Sequence, residues 1–138
     1  MRIVQDEFSV STSQRNELID ITSQVATLVS HSGIAQGDVI VYCPHTTAAI
    51  TINENADPDV VHDLLMTFSE LLPKARRGYR HGEGNSDAHC KSSLVGASEQ
   101  VLVKDGRLLL GTWQGLYFCE FDGPRTRRVQ VQIRGLEG

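Results

Sequence analysis

Val101-Leu102-Val103-Lys104-Asp105-Gly106-Arg107-Leu108-Leu109-Leu110 sets two apolar runs on either side of a polar turn. Asp and Gly tolerate the left-handed backbone that a tight hairpin needs, so the stretch reads as two paired antiparallel strands. Further along, residues 116–121 form another apolar run, and Asp122-Gly123-Pro124 turns it. Val129, Val131 and Ile133 then alternate with Arg128, Gln130 and Gln132. A period of two predicts a strand with one wet face. Everything beyond Glu99 is therefore expected to be β.

Back toward the N-terminus, residues 88–96 fit a strand or a short helix equally well. Residues 74–87 have almost no apolar period and include Gly78, Gly82 and Gly84, which predicts a long functional loop. The clearest helix starts at Asp57-Pro58-Asp59. Asp57 suits the cap, Pro58 lacks the N–H that would be unpaired at that position, and Asp59 meets the positive end of the helix dipole. Val61, Leu64, Leu65, Phe68 and Leu72 give its apolar stripe, and Pro73 stops it. Residues 39–43 and 48–53 read as strands joined by Pro44-His45-Thr46-Thr47, with a turn at Gly37-Asp38 before them. A first helix is expected after a Thr22-Ser23 cap, with Ile21, Val25, Leu28 and Val29 inward and Gly33 at its end. Residues 2–10 and 17–21 complete the strands. This order predicts an α+β fold: a large, mainly antiparallel β-sheet sandwich with two packed helices, in one domain over residues 1–138.

Composition narrows the functional classes. A chain of 138 residues can bury a real core, and 40% hydrophobic with 22% charged residues is ordinary for a soluble protein. A net charge of -4 argues against a nucleic-acid partner. No apolar run approaches the roughly 20 residues that cross a bilayer, so no membrane partner is expected. The N-terminus lacks the apolar stretch of a secretory signal. Cys43, Cys90 and Cys119 are widely spaced and form neither a zinc-type pair nor a disulfide framework. A cytoplasmic setting follows as the expectation.

The chemistry concentrates in His81-Gly82-Glu83-Gly84-Asn85-Ser86-Asp87-Ala88-His89. Imidazoles and carboxylates alternate there with residues of little bulk, which no core requires. His45 supplies another imidazole at a strand end. His45, His81 and His89 together match a divalent metal site, zinc being the ion that three imidazoles and an open position suit. The alternative is that His81 and His89 are loop residues bonded to backbone. His31 and His62 fall on polar helix faces and are read as solvated.

Glu54, Glu83 and Asp87 are candidates to orient an imidazole or act as general base. Glu54 also has a plain role in the electrostatics of the following helix. Gly82, Gly84 and Asn85 can turn N–H groups toward one point and bind an anion. Thr46, Thr47, Ser92 and Ser93 add hydroxyls, while Lys91 and Arg125 add charge. Phosphate suits this set, although no nucleotide-binding motif is present. Arg127 and Arg128 are read as solvated. Cys90 follows His89 and is read as core filler rather than as a nucleophile, since neighbours on a strand point to opposite faces, and Cys43 and Cys119 are read as core. Trp113 lies between Gly111 and Gly115 and is either a core anchor or a flat wall for a ligand ring.

Six blocks carry a likeness: His45-Thr46-Thr47-Ala48-Ala49, Asn53-Glu54-Asn55-Ala56-Asp57-Pro58-Asp59-Val60, Gly84-Asn85-Ser86-Asp87-Ala88-His89, Ser93-Leu94-Val95-Gly96, residues 106–114 with Gly111-Thr112-Trp113-Gln114, and Glu120-Phe121-Asp122-Gly123-Pro124-Arg125. In this order they resemble the YjbQ-like family over nearly the whole chain. The resemblance implies a compact α+β fold that assembles as a homotrimer. It also implies a weak thiamine-phosphate synthase activity, joining a pyrimidine diphosphate to a thiazole phosphate. The family's histidine-bearing blocks map to His45, His81 and His89, and its acidic and polar positions to Glu54, Asn85 and Asp87. The chain departs from the pattern at Cys90, where an aliphatic residue is expected.

Three readings follow. The first is an enzyme, metal-dependent through the imidazoles, acting on a small phosphorylated substrate. The second is a non-enzymatic trimer that binds a metabolite or metal. The third is a metal-dependent hydrolase.

Overall fold

A computed structural model describes residues 1–138 as two antiparallel sheets and three helices. The larger sheet has the order β1-β8-β3-β5-β6, from β1 (Arg2–Ser11), β3 (Ile34–Tyr42), β5 (Ser98–Lys104), β6 (Arg107–Leu108) and β8 (Thr126–Glu137). The smaller sheet has the order β2-β7-β4, from β2 (Glu17–Asp20), β4 (Ala48–Glu54) and β7 (Gln114–Glu120). The predicted hairpin is present, and Asp105 and Gly106 both adopt positive φ, 52° and 73°, as a type I′ turn requires.

The sheets face each other. Val39, Val41, Val129, Val131 and Ile133 of the large sheet pack against Ala48, Ile50, Leu116 and Phe118 of the small one. Helix α1 (Thr22–Ser32) closes this core with Val25 and Val29. The other face of the small sheet is also covered. Tyr117 and Cys119 pack with Phe121, Ala88 of α3 (Ser86–Val95) and Val61, Leu64, Leu65 and Phe68 of α2 (Pro58–Leu71). Burial on both faces is why β7 reads as an unbroken apolar run rather than an alternation.

Three expectations are corrected. Residues 88–95 belong to a helix, α3, which also takes in Ser86 and Asp87 from the expected loop, so three helices pack on the sheets rather than two. Its buried side is polar, made of Asp87, Lys91 and Ser92 around Ala88, so no apolar stripe announces it. Gly37 and Asp38 are not a turn but lie within β3. Gly37 faces Gly135 on β8, and a Cβ at Gly37 would come within 1.9 Å of the Arg134 carbonyl oxygen. Glycine there permits a close crossing of two strands. Thr22 does not cap α1 but is its first residue; Ile21 holds the cap position, and Asp20 Oδ1 accepts from both the N–H and the hydroxyl of Thr22. The Thr22 oxygen is then used to accept from the Leu116 N–H at 2.9 Å. The Asp57 cap of α2 and the left-handed Gly33 after α1 are as expected.

Candidate functional site

One end of the sandwich brings three connections together. The β3–β4 link carries Pro44-His45-Thr46-Thr47, the β7–β8 turn carries Asp122 and Arg125, and the approach to α3 carries Glu83 and Asn85. Between them lies a cleft of about 310 Å³ whose wall is polar apart from the Pro44 ring. His89 of α3 and Arg127 of β8 complete it.

The floor is a buried ion pair. Arg127 shares the parity of Val129 and Val131, so it points inward, and Glu120 shares the parity of Phe118 and meets it from the other sheet. Arg127 is 3% exposed and Glu120 0%, which corrects the solvated reading of Arg127. Arg127 Nε donates to Glu120 Oε1 at 2.8 Å, and its Nη2 donates to Thr47 Oγ1 at 2.8 Å. Thr12 and the Asp122 N–H also donate to Glu120. Burial pushes the Glu120 carboxyl up, but these bonds outweigh it and hold it below the usual range.

His45 is locked. Its Nε2 accepts from the Arg128 backbone N–H at 2.9 Å. Burial first, and the Arg127 charge second, lower its pKa. A neutral ring accepting at Nε2 carries its hydrogen on Nδ1. His89 differs, since its ring nitrogens make no hydrogen bond within the chain; it meets His81 edge to face, centroids 5.4 Å apart. His81 Nε2 lies 3.7 Å from Glu83 Oε2, and the His81 ring lines a neighbouring groove rather than the cleft.

Asn85 donates through Nδ2 to Asp122 Oδ2 at 2.8 Å, while its Oδ1 is buried without a partner. Asp122 also accepts from Arg125, which is half exposed and retains further N–H donors. Asn85 precedes α3 without capping it by its side chain; its carbonyl accepts from the Ala88 and His89 N–H groups at 3.0 and 3.3 Å, which leaves the Ser86 and Asp87 N–H groups without a partner at the positive end of the helix. Gly84 takes the left-handed conformation, φ 71°, in the predicted anion-binding segment.

The remaining sequence candidates divide. Asp87 and Lys91 sit behind the cleft, 0% and 2% exposed. Asp87 takes both guanidinium nitrogens of Arg15, at 3.0 and 2.9 Å, and Lys91 Nζ at 2.9 Å. Burial raises its carboxyl, and the two cations bring it down to about 2. Both groups hold α3 to the β1–β2 connection; neither lines the cleft. Ser93 is exposed on α3, whereas Ser92 is buried and donates to the Ala48 carbonyl at 2.7 Å. Glu54 lies at the far end of β4, roughly 20 Å from Thr47 at about 3.3 Å per residue. Trp113 is at that same far end, 63% exposed, its carbonyl accepting from the Asn55 N–H. Asp122, Glu120 and Arg127 belong to the site although they were not singled out by sequence. Strand parity is the signal that points Arg127 inward.

A metal fits this arrangement poorly. No group of three or more His, Cys, Asp or Glu side chains is placed to hold one ion. His45 uses its lone pair on Arg128, and coordination through Nδ1 would require losing that bond or removing the ring's remaining proton. The cleft instead offers N–H donors and cations to an anion, with Glu83, Thr46 and Asn85 Oδ1 as acceptors.

Residues 6–136 match the family model described as UPF0047 protein YjbQ-like. UPF0047 protein YugU of Bacillus subtilis is 56% identical over 126 residues, covering 91% of this chain and 96% of that protein. UPF0047 protein MJ1081 of Methanocaldococcus jannaschii is 53% identical over 129 residues, covering 94% and 93%. Among solved structures, an uncharacterized YjbQ/UPF0047 protein of Clostridium acetobutylicum superposes with a TM-score of 0.92 at 53% identity, covering 94% of this chain and 99% of that one. A YbjQ-like protein of unknown function from Sulfolobus solfataricus gives 0.94 at 36%, covering 98% and 99%.

Proposed function

The chain belongs to the YjbQ-like UPF0047 family, and from that premise and the chemistry of the cleft we propose that it binds a phosphorylated small molecule there and acts on it. One observation carries the reading: the Arg125 guanidinium, the His45 and His89 rings and the Asn85 end of α3 line one cleft whose wall is polar apart from Pro44. Negative charge on a leaving phosphoryl oxygen is stabilised by donors already in place, which need no reorganisation during reaction. His89, with both ring nitrogens uncommitted, is the group able to pass a proton.

Thiamine-phosphate synthesis is the specific reaction proposed. The carbon–oxygen bond of the pyrimidine diphosphate breaks with its electron pair leaving on diphosphate. The thiazole nitrogen lone pair forms the new carbon–nitrogen bond. Such a step needs leaving-group stabilisation more than a base, which is what the donor set supplies. Incubation with both substrates, followed by chromatography, tests it. Arg125→Gln should lower kcat/KM by about a hundredfold. Release of orthophosphate without coupling would favour the hydrolase instead. Metal dependence enters as a measurement, element analysis of untagged protein, and no step is routed through an ion.

A second reading, a metabolite-binding homotrimer without turnover, draws on a different observation. The outer face of the large sheet exposes Ile3, Tyr42, Leu102 and Leu136, by 61%, 47%, 59% and 59%. Subunit association would cover such a face. Tight ligand binding with no product would favour it. A cytoplasmic setting belongs to the same proposal, supported by the unpaired thiols of Cys43, Cys90 and Cys119.

A further inference from the structure

Beside the cleft, residues 74–81 carry charge of the opposite sign to the chain as a whole. Lys74, Arg76, Arg77 and Arg80 fall there with no acidic residue among them, in a protein of net charge -4. All four are exposed, and none takes part in an ion pair of the chain. Lys74, Arg76, Arg77, Tyr79 and His81 line a groove of about 700 Å³ that runs to Gly84 and Ser86 at the start of α3. The Tyr79 hydroxyl is buried there without a hydrogen-bond partner. Clustered like charges repel each other, and an orphaned hydroxyl costs stability, so both features call for an external acceptor. Groove and cleft share a wall. His81 lines the first, His89 lines the second, and their rings touch edge to face.

We infer that the groove at residues 74–81 is a second anion site, which takes the outer phosphate of a diphosphate whose inner phosphoryl group occupies the cleft. The inference rests on the cleft's reading as a phosphoryl site and names the class of its ligand: a molecule with a diphosphate. Charge decides the class. A phosphomonoester carries about -1.5 to -2 at neutral pH, which Arg125 and one helix end can meet. The three further free cations that line the groove, Lys74, Arg76 and Arg77, match the greater charge of a diphosphate. A nucleic-acid strand fits less well, because it needs an extended basic track with stacking platforms, and the basic residues here stop at one loop.

Calorimetric titration of the full-length protein with inorganic diphosphate and, separately, orthophosphate tests this. Arg76→Gln with Arg77→Gln alters exposed side chains only, so thermal stability should not move. The double variant should bind diphosphate about tenfold more weakly, while orthophosphate binding stays as in the parent. Arg125→Gln should weaken orthophosphate binding. Diphosphate affinity unchanged in the double variant would overturn the groove assignment. So would a short single-stranded oligonucleotide that binds more tightly than diphosphate with the same dependence on Arg76 and Arg77. If Arg125→Gln leaves orthophosphate binding intact while the double variant still loses diphosphate, the cleft reading falls and the groove remains an anion site.

Discussion

His45 Nε2 accepts the backbone N–H of Arg128 at 2.9 Å, and that contact settles which nitrogen of the ring carries the proton. The ring is expected neutral, with its hydrogen on Nδ1. Nitrogen-15 chemical shifts of the His45 side chain should report this tautomer at neutral pH. Burial and the Arg127 charge lower its pKa, so the unfolded chain binds the proton first as pH falls. Stability from this group is full above the ordinary histidine pKa and declines as pH drops from there toward the lowered value. His45→Ala should remove that slope and cost about 1 kcal/mol. His45→Gln, which can still accept from Arg128, should restore most of the loss.

Asp87 is tied to Arg15 and Lys91 in the interior, so its removal strands two cations. Asp87→Asn should destabilise the protein by about 3–5 kcal/mol and lower Tm by roughly 10 °C. The carboxyl titrates at about 2, below its unfolded value, so its stabilisation is full above the unfolded pKa and is lost as pH falls through about 2. Calorimetric scans from neutral to acid pH should show the gap between parent and variant closing at the acid end. A constant gap would mean that Asp87 acts by packing alone.

Two glycines should respond oppositely to the same change. Gly37→Ala places a Cβ within 1.9 Å of the Arg134 carbonyl and should force β3 from β8, with a large drop in Tm or failure to fold. Gly82→Ala meets nothing within 4 Å and should leave Tm unchanged. Parallel melting curves check both.

The contrast between Gly37 and the hairpin shows what local pattern can and cannot reveal. Asp105-Gly106 encodes its turn in its own backbone preferences, so it is legible. Gly37-Asp38 offers similar residues, but its conformation is set by Gly135, far away in sequence. Helix α3 escapes a hydrophobic reading for a related reason. Asp87, Lys91 and Ser92 can be buried only because Arg15, Asn16 and the Ala48 carbonyl receive them. For the site, His45, Asn85, His89 and Arg125 were visible because polar residues crowd strand ends and glycine-rich loops there. Trp113 and Glu54 share those local features, yet the length of β4 carries them to the opposite end. Arg127 was hidden by its charge although its strand parity pointed inward.

The account depends on the cleft holding a phosphoryl group, and a crystal structure of the protein with orthophosphate tests this most directly. The predicted result is tetrahedral density within hydrogen-bond distance of the Arg125 guanidinium, His45 Nδ1 and the His89 ring. Saturating phosphate with this cleft empty, or with the anion held only elsewhere, would contradict it.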